Sequence, residues 1–174
     1  MTPLHPHIEA VLAAMVLIAA FTDLKRREIP NWLTLGGIVA GLALNVWTAG
    51  LAGLKTAGAG LGLAALIFLP LFLMRWLGGG DVKLMGAIGA LAGAQYMLVI
   101  FVIDAILGGA AALVLVIARG RFAKTLRNIP RMFRLKRDSE LEAGGEKSMG
   151  LPRAVTIAAA TLLVLWGATR APAG

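Results

Sequence analysis

The chain has 174 residues, of which 59% are hydrophobic and only 15% are charged, and its mean hydropathy is +0.82. A soluble domain of this size would need far more polar surface, so the composition excludes a soluble globular protein and indicates a polytopic membrane protein. The sequence contains no cysteine, which excludes disulfides, thiol nucleophiles and cysteine-based metal sites, and we expect no cofactor.

Apolar stretches follow one another along almost the whole chain, most of them close to the ~20 residues that cross a ~30 Å hydrocarbon core. The fourth stretch is short, and with the fifth it could form one helix over residues 84–118. Such a helix would be ~52 Å long, so we expect a turn at Gly93-Ala94-Gln95. The sequence therefore predicts an all-α fold of six transmembrane helices in one integral membrane domain over residues 1–174, with spans at 8–22, 32–49, 57–76, 82–92, 95–118 and 151–168.

Basic residues are distributed unevenly between the two sides of this topology. Fifteen of the 17 Lys and Arg residues fall in three segments on one side: residues 23–31, the flanks of the glycine run at 78–80, and a basic loop at about 119–150 that extends to Arg153. Because Lys and Arg concentrate in cytoplasmic loops, these segments are predicted to face the cytoplasm and both termini the outside. This bias accounts for most of the net charge of +8, so we expect a lipid bilayer and no nucleic acid as partner.

Two aspartates lie where an apolar stretch meets a basic patch. Asp23 ends the first span and Asp81 begins the fourth, so the topology places both at the same depth on the cytoplasmic side. Carboxylates near hydrocarbon are costly unless they are paired or do chemistry. Two carboxylates at the same depth can share a proton and activate a water, with one acting as base and the other as acid. A histidine-assisted alternative is not available, because His5 and His7 lie at the opposite end of the first span and are assigned no role.

The residues around each aspartate are compatible with such a site and also with structural roles. Gly78 and Gly80 remove side chains beside Asp81, which suits close approach of a substrate backbone as well as a plain connector. Pro30 and Asn31 can end one helix and begin the next, and either could also help a substrate approach. Lys83 is expected to mark the cytoplasmic side of the membrane, and it could also change the pKa of a neighbouring carboxylate.

Residues 23–31 (Asp-Leu-Lys-Arg-Arg-Glu-Ile-Pro-Asn) and 78–85 (Gly-Gly-Gly-Asp-Val-Lys-Leu-Met) resemble the two signature segments of the type IV prepilin peptidases, membrane aspartyl proteases of the GxGD type. Gly78, Gly80 and Asp81 match the GxGD element, and Asp23 matches the family's first catalytic aspartate. The resemblance implies an endopeptidase of the bacterial inner membrane. It would remove a short basic leader from prepilins at the cytoplasmic face, before their hydrophobic segment.

The chain departs in two respects from patterns found in that family. Longer members also methylate the new N-terminus and carry an N-terminal extension. The chain resembles instead the short, peptidase-only members that serve tight-adherence (Flp-type) pili, so we expect no N-methyltransferase activity. Leu-Pro-Arg-Ala at 151–154 stands where family members often have Pro-Tyr-Gly. This departure bears on substrate fit and is expected to touch neither aspartate.

Two other kinds of function remain open at this stage: a small proton-coupled transporter, and a non-catalytic membrane protein of pilus assembly. Intramembrane acids suit transport, but transport sites favour the bilayer midplane, whereas Asp23 and Asp81 map to one face. A scaffold would tolerate Asp-to-Asn changes. Presenilin-like proteases fit less well, since they combine GxGD with Tyr-Asp and Pro-Ala-Leu elements, and this chain has Thr22-Asp23 and no Pro-Ala-Leu.

Three further features have simpler interpretations. Asp104, near the middle of the fifth span, and Asn45, in the second, are expected to make hydrogen bonds between helices, and a catalytic or transport role of Asp104 is the alternative. Phe122, Leu126 and Ile129 recur at helical spacing among basic residues, which predicts an amphipathic segment at the surface of anionic lipids. The acidic stretch 138–146 beyond it is typical of a flexible linker.

Overall fold

The computed structural model describes residues 4–74, 77–118 and 153–170. Every element in these ranges is a helix, and none of the described residues lies in a strand, as the sequence predicts. Among the described residues, three helices are long and apolar enough to cross a membrane: the first, the second, and the third over Gly79–Ala111. The four helices are α1 (Pro6–Arg26), α2 (Asn31–Leu73), α3 (Gly79–Ala118) and α4 (Arg153–Arg170).

Two glycines interrupt the long helices α2 and α3. Gly50 has φ 58° and ψ −133°, and Gly93 has φ 81° and ψ 173°. A residue with a side chain would be strained in either conformation. Six helical segments result, and the predicted break at Gly93 is confirmed. The break at Gly50 coincides with the predicted division between the spans 32–49 and 57–76, and the helix resumes directly after it. The number of membrane crossings and the orientation of the termini stay predictions.

The turn between α1 and α2 follows from its local sequence. Arg27 ends α1 in the left-handed region, with φ 53°, and its N–H donates to the carbonyl of Asp23 at 2.8 Å. Pro30 is extended and immediately precedes α2, where its carbonyl accepts from Leu33 at 3.1 Å. A proline disfavours helical conformation in the residue before it, so the helix cannot run through this point. The turn leaves Asp23 in the last turn of α1.

Residues 79–92, the first half of α3, form the centre of the bundle, and residues 84–93 are all buried. The second half of α2 runs antiparallel to this segment, because a Cβ on Gly93 would meet Thr56 and one on Gly79 would meet Phe72. The first half of α2 runs parallel to it, because Gly37 faces Ala87 and Gly41 faces Ala90. Helix α1 packs against α2 and α4.

Glycines permit the closest of these approaches. A Cβ on Gly60 would overlap the carbonyl oxygen of Gly89, and one on Gly89 would overlap that of Gly60. A Cβ on Gly41 would lie 2.6 Å from the backbone of Ala90. Small residues at such crossings let helix backbones come into contact, which is a main source of helix association in membranes. The position of α3 therefore depends on these glycines.

Asn45 fixes the end of the central segment. The break at Gly93 leaves the last carbonyls of residues 79–92 without partners in their own helix. The Asn45 side-chain amide lies 3.1 Å from the carbonyl oxygen of Ala90 and 3.0 Å from that of Leu91, and it is 2.9 Å from the carbonyl of Gly41 in its own helix. The hydrogen bond between helices that the sequence predicts for Asn45 is thereby confirmed.

Replacement of Asn45 by Ala is expected to lower the free energy of unfolding by about 1–2 kcal/mol, because two carbonyls at the end of a buried helix lose their donor. Thermal unfolding in detergent micelles measures the change. Thr48→Val is the matched control, since the Thr48 hydroxyl bonds only carbonyls of its own helix in the described structure. Equal losses in the two variants would contradict this role of Asn45.

The outer faces of the helices are apolar. Large hydrophobic side chains stay exposed along α1 and α2, including Leu17 at 52%, Leu66 at 72% and Trp47 at 88%. Exposed apolar surface on this scale needs a nonaqueous partner, and together with the helix lengths it fits a lipid bilayer.

Residues 108–151 belong to the second of two units into which the chain divides. Of this unit the structure describes 108–118, which are helical. The predicted amphipathic segment around Phe122 and the acidic stretch 138–146 lie outside the described residues, as does the whole of the predicted basic loop at 119–150.

Candidate active site

Asp23 and Asp81 lie at the same end of the helix bundle. Asp23 is half-buried in the last turn of α1, and Asp81 is 7% exposed in the first turn of α3. The Asp81 N–H donates to the Gly78 carbonyl at 3.1 Å, so Asp81 sits at a helix N-terminus, where the helix dipole stabilises a negative charge. The two side chains are close enough for the charge of Asp23 to act on the Asp81 carboxyl.

The start of α4 joins the two aspartates. The Ala154 N–H donates to Oδ2 of Asp23 at 2.9 Å, and the Arg153 guanidinium lies 3.6 Å from Oδ2 of Asp81. First-turn N–H groups have no acceptor within their own helix, so the Asp23 carboxylate satisfies one that would otherwise be unpaired. Two consecutive residues of α4 therefore hold carboxylates from two different helices.

This arrangement corrects one expectation from the sequence. The departure from Pro-Tyr-Gly at 151–154 is expected from the sequence to touch neither aspartate, and that is wrong for both described residues of the segment, Arg153 and Ala154. The sequence indicates Arg153 only as one more basic residue of a cytoplasmic segment. Arg153 is far in sequence from both acids, so the residues around it do not indicate that it forms an ion pair.

Gly78 and Gly80, which precede Asp81, have different structural roles. A Cβ on Gly80 would lie 3.3 Å from Cβ of Ile29, so Gly80 lets the turn between α1 and α2 approach the start of α3. A Cβ on Gly78 would lie 3.5 Å from Oδ2 of Asp81, which is ordinary contact. Gly78 therefore leaves space beside the carboxylate, whereas Gly80 brings the two predicted site segments together.

Lys83 and Asn31 also connect these segments. The Lys83 ammonium donates to Oδ1 of Asn31 at 2.9 Å, from one helix start to another. Both side chains are exposed, so the bond contributes little to stability. Pro30 lies beside them and immediately precedes α2. The structure thus brings all five predicted supporting positions to the end of the bundle that holds Asp23 and Asp81.

The described residues offer no evident metal site. Within residues 4–74, 77–118 and 153–170, no three His, Asp or Glu side chains cluster as metal ligands would. The groups next to Asp23 and Asp81 include the Arg153 guanidinium and the backbone N–H groups of two helix starts. Such a set can bind a water, hold one proton between the carboxylates and transfer it.

The profile of the type IV leader peptidase family matches residues 10–113, which include both aspartates and the whole of α2. The chain belongs to this family.

A curated protein of similar sequence is also named as a leader peptidase. The prepilin leader peptidase/N-methyltransferase of Legionella pneumophila is 34% identical over 125 residues, which cover 67% of this chain and 43% of the relative. The matched region thus spans less than half the length of that protein. No solved structure matches the chain.

Asp104 lies nearer to this site than its place in the fifth span suggests. It follows Gly93 by 11 residues, whereas Asp81 precedes Gly93 by 12. Arg153, which contacts Asp81, is also within electrostatic reach of Asp104, and Thr156 lies beside the Asp104 carboxyl. The sequence predicts that Asp104 lies deeper in the membrane than Asp23 and Asp81, because it falls near the middle of its span. In the structure Asp104 instead interacts with residues at the start of α4, which also contacts Asp23 and Asp81.

Proposed function

We propose that this protein is an aspartyl endopeptidase that removes the leader peptide of prepilins, with Asp23 and Asp81 as the groups that activate water. The observation that carries the proposal is the start of α4, where Arg153 and Ala154 hold the two aspartates at one end of the bundle. Membership of the type IV leader peptidase family and the name of the Legionella relative support the choice of substrate class.

The reaction needs one proton on the pair. One carboxylate removes a proton from water as the water oxygen attacks the peptide carbonyl carbon, while the other, protonated, donates to the carbonyl oxygen. The C–N bond of the resulting tetrahedral intermediate then breaks as its nitrogen receives a proton. The products are a leader with a new carboxyl group and a pilin with a new amino group. Ala154 and the start of α3 supply fixed dipoles that stabilise the charge on the pair.

The surface near Asp23 suits the proposed substrate. Phe21 and Leu24 are 64% and 62% exposed, and Trp32 at the start of α2 is 67% exposed. An apolar helix following the scissile bond could lie against these side chains at the level of the carboxylates. A basic leader would be attracted to the two acids themselves. We propose that the site faces the cytoplasm of a bacterial inner membrane and that the substrates are Flp-type prepilins.

Cleavage by the reconstituted protein tests the proposal. The protein in liposomes is incubated with a purified Flp-type prepilin, and mass spectrometry follows the N-terminus. We expect the leader to be released intact with one cut before the hydrophobic segment. Liposomes without the protein are the control. Absence of any cut by the folded protein, with several prepilins, would contradict the proposed function.

A proton-coupled transporter fits the structure less well. Transport sites lie near the bilayer midplane, whereas Asp23 and Asp81 occupy the last and first turns of their helices. A non-catalytic role in pilus assembly would leave the pairing of two costly acids unexplained. The absence of N-methyltransferase activity stays a prediction.

A further inference from the structure

Arg153 lies next to one oxygen of the Asp81 carboxylate. Its guanidinium lies 3.6 Å from Oδ2 of Asp81, a separation longer than a direct hydrogen bond, and its side chain is 58% exposed. The Asp81 side chain is only 10% exposed, so the exposed guanidinium can exchange this contact for water more easily than the carboxylate can. A bound cation and a shared proton compete for the same carboxylate oxygen. A proton shared through Oδ2 of Asp81 therefore requires Arg153 to move.

Asp104 offers the displaced guanidinium a second carboxylate. Oδ1 of Asp104 is buried and has no hydrogen-bond partner among the described residues. A buried carboxylate oxygen without a partner is costly, which calls for a cation or a donor. Arg153 is within electrostatic reach of this carboxyl. Thr156, which lies beside Asp104, donates its hydroxyl to the Arg153 carbonyl at 2.9 Å, so the first turn of α4 links the two residues.

We propose, on the basis of the function proposed above, that Asp104 is a positioning residue that accepts the Arg153 guanidinium when Asp81 takes part in catalysis. Arg153 alternates between the two carboxylates. In the resting protein it neutralises Asp81, and with substrate bound it pairs with Asp104 and leaves Oδ2 of Asp81 to water and the shared proton. Asp104 acts only through Arg153 and touches neither the substrate nor the water.

A double-mutant cycle with Asp104→Asn and Arg153→Gln tests this coupling. Values of kcat and KM for leader removal are measured for the wild type, both single variants and the double variant. We expect Asp104→Asn to lower kcat about tenfold with KM within about twofold, because Arg153 then stays on Asp81 more of the time. In the Arg153→Gln background, the same change is expected to alter kcat less than about twofold. Asp104→Glu is expected to recover most of the rate.

Two results would overturn the inference. One is an equal loss from Asp104→Asn with and without Arg153, which would assign Asp104 a structural role of its own. The other is complete loss of cleavage in a folded Arg153→Gln protein, because a group that has to leave Asp81 cannot be indispensable there. Thermal unfolding of all four proteins confirms that they are folded. Glu9→Gln, an acid-to-amide change at the opposite end of α1, is the control and is expected to keep the wild-type kcat.

Failure of the proposed function gives a different pattern. If the folded wild type removes no leader, the proposed function falls, and this inference falls with it. If the wild type cleaves and both Asp23→Asn and Asp81→Asn are inactive, the proposed function stands, and the cycle alone decides the role of Asp104.

Discussion

Asp81→Asn and Asp23→Asn are each expected to lower the rate of leader removal at least about 10³-fold, because an amide can neither share the proton nor accept one from water. Both carboxylates meet the start of α4, so the two losses should be similar and the double variant should be little worse than either single one. Non-additivity of this kind is typical of residues that act as a unit. The rates are measured on reconstituted protein with one prepilin.

Glu28→Gln is the matched control for these two variants. Glu28 is an exposed acid in the turn between α1 and α2, at the same end of the molecule, and the same change of acid to amide there is expected to leave the rate unchanged. A folded Asp23→Asn or Asp81→Asn protein that cleaves within about tenfold of wild type would exclude that aspartate from the chemistry. Such a result would favour the scaffold alternative.

Gly60→Val is expected to destabilise the protein by at least about 3 kcal/mol and to abolish leader removal. A Cβ at this position would overlap the Gly89 carbonyl oxygen and lie 2.9 Å from the Gly93 carbonyl carbon. Both contacts are to backbone atoms, which cannot move aside as a flexible side chain can. The central segment 79–92 would have to shift, and Asp81 would shift with it. Thermal unfolding and the rate of cleavage report the two effects.

Gly62→Val gives the comparison that isolates this contact. Gly62 lies two residues further along the same helix, is exposed, and has no neighbouring atom within 4 Å of the point where a Cβ would lie. The two variants change helix propensity equally, so only Gly60→Val should lose the packed state. Similar unfolding temperatures for the two would mean that the crossing at Gly60 and Gly89 does not hold α3 in place.

The break at Gly93 and the grouping of the two aspartates could be predicted because general constraints determine them. A helix over 84–118 would be far longer than a bilayer is thick, so the chain had to break, and Gly93 was the residue able to adopt the conformation. Basic residues follow both aspartates. Because Lys and Arg concentrate on the cytoplasmic side of a membrane, the segments that contain Asp23 and Asp81 are predicted to face the same side. Asp23 and Asp81 were therefore expected at one end of the bundle, where the structure places them.

The helical conformation directly after Gly50 and the role of Arg153 could not be predicted in this way. The predicted spans leave seven residues, 50–56, between them, whereas the helix continues through residues 51–56 in the structure. The contact of Ala154 with Asp23 spans 131 positions in the sequence. Contacts at that separation depend on how whole helices pack, and neither periodicity nor composition encodes them.

The most direct test of water activation is a single turnover in H₂¹⁸O, with the enzyme in excess over the prepilin and mass spectrometry of the released leader. If Asp23 and Asp81 activate water, the new carboxyl group of the leader carries one ¹⁸O atom from the first turnover, in proportion to the enrichment of the solvent. Leader released without ¹⁸O in that turnover would mean that an oxygen of the enzyme attacked the peptide carbonyl. That result would contradict catalysis by a water-activating pair of aspartates.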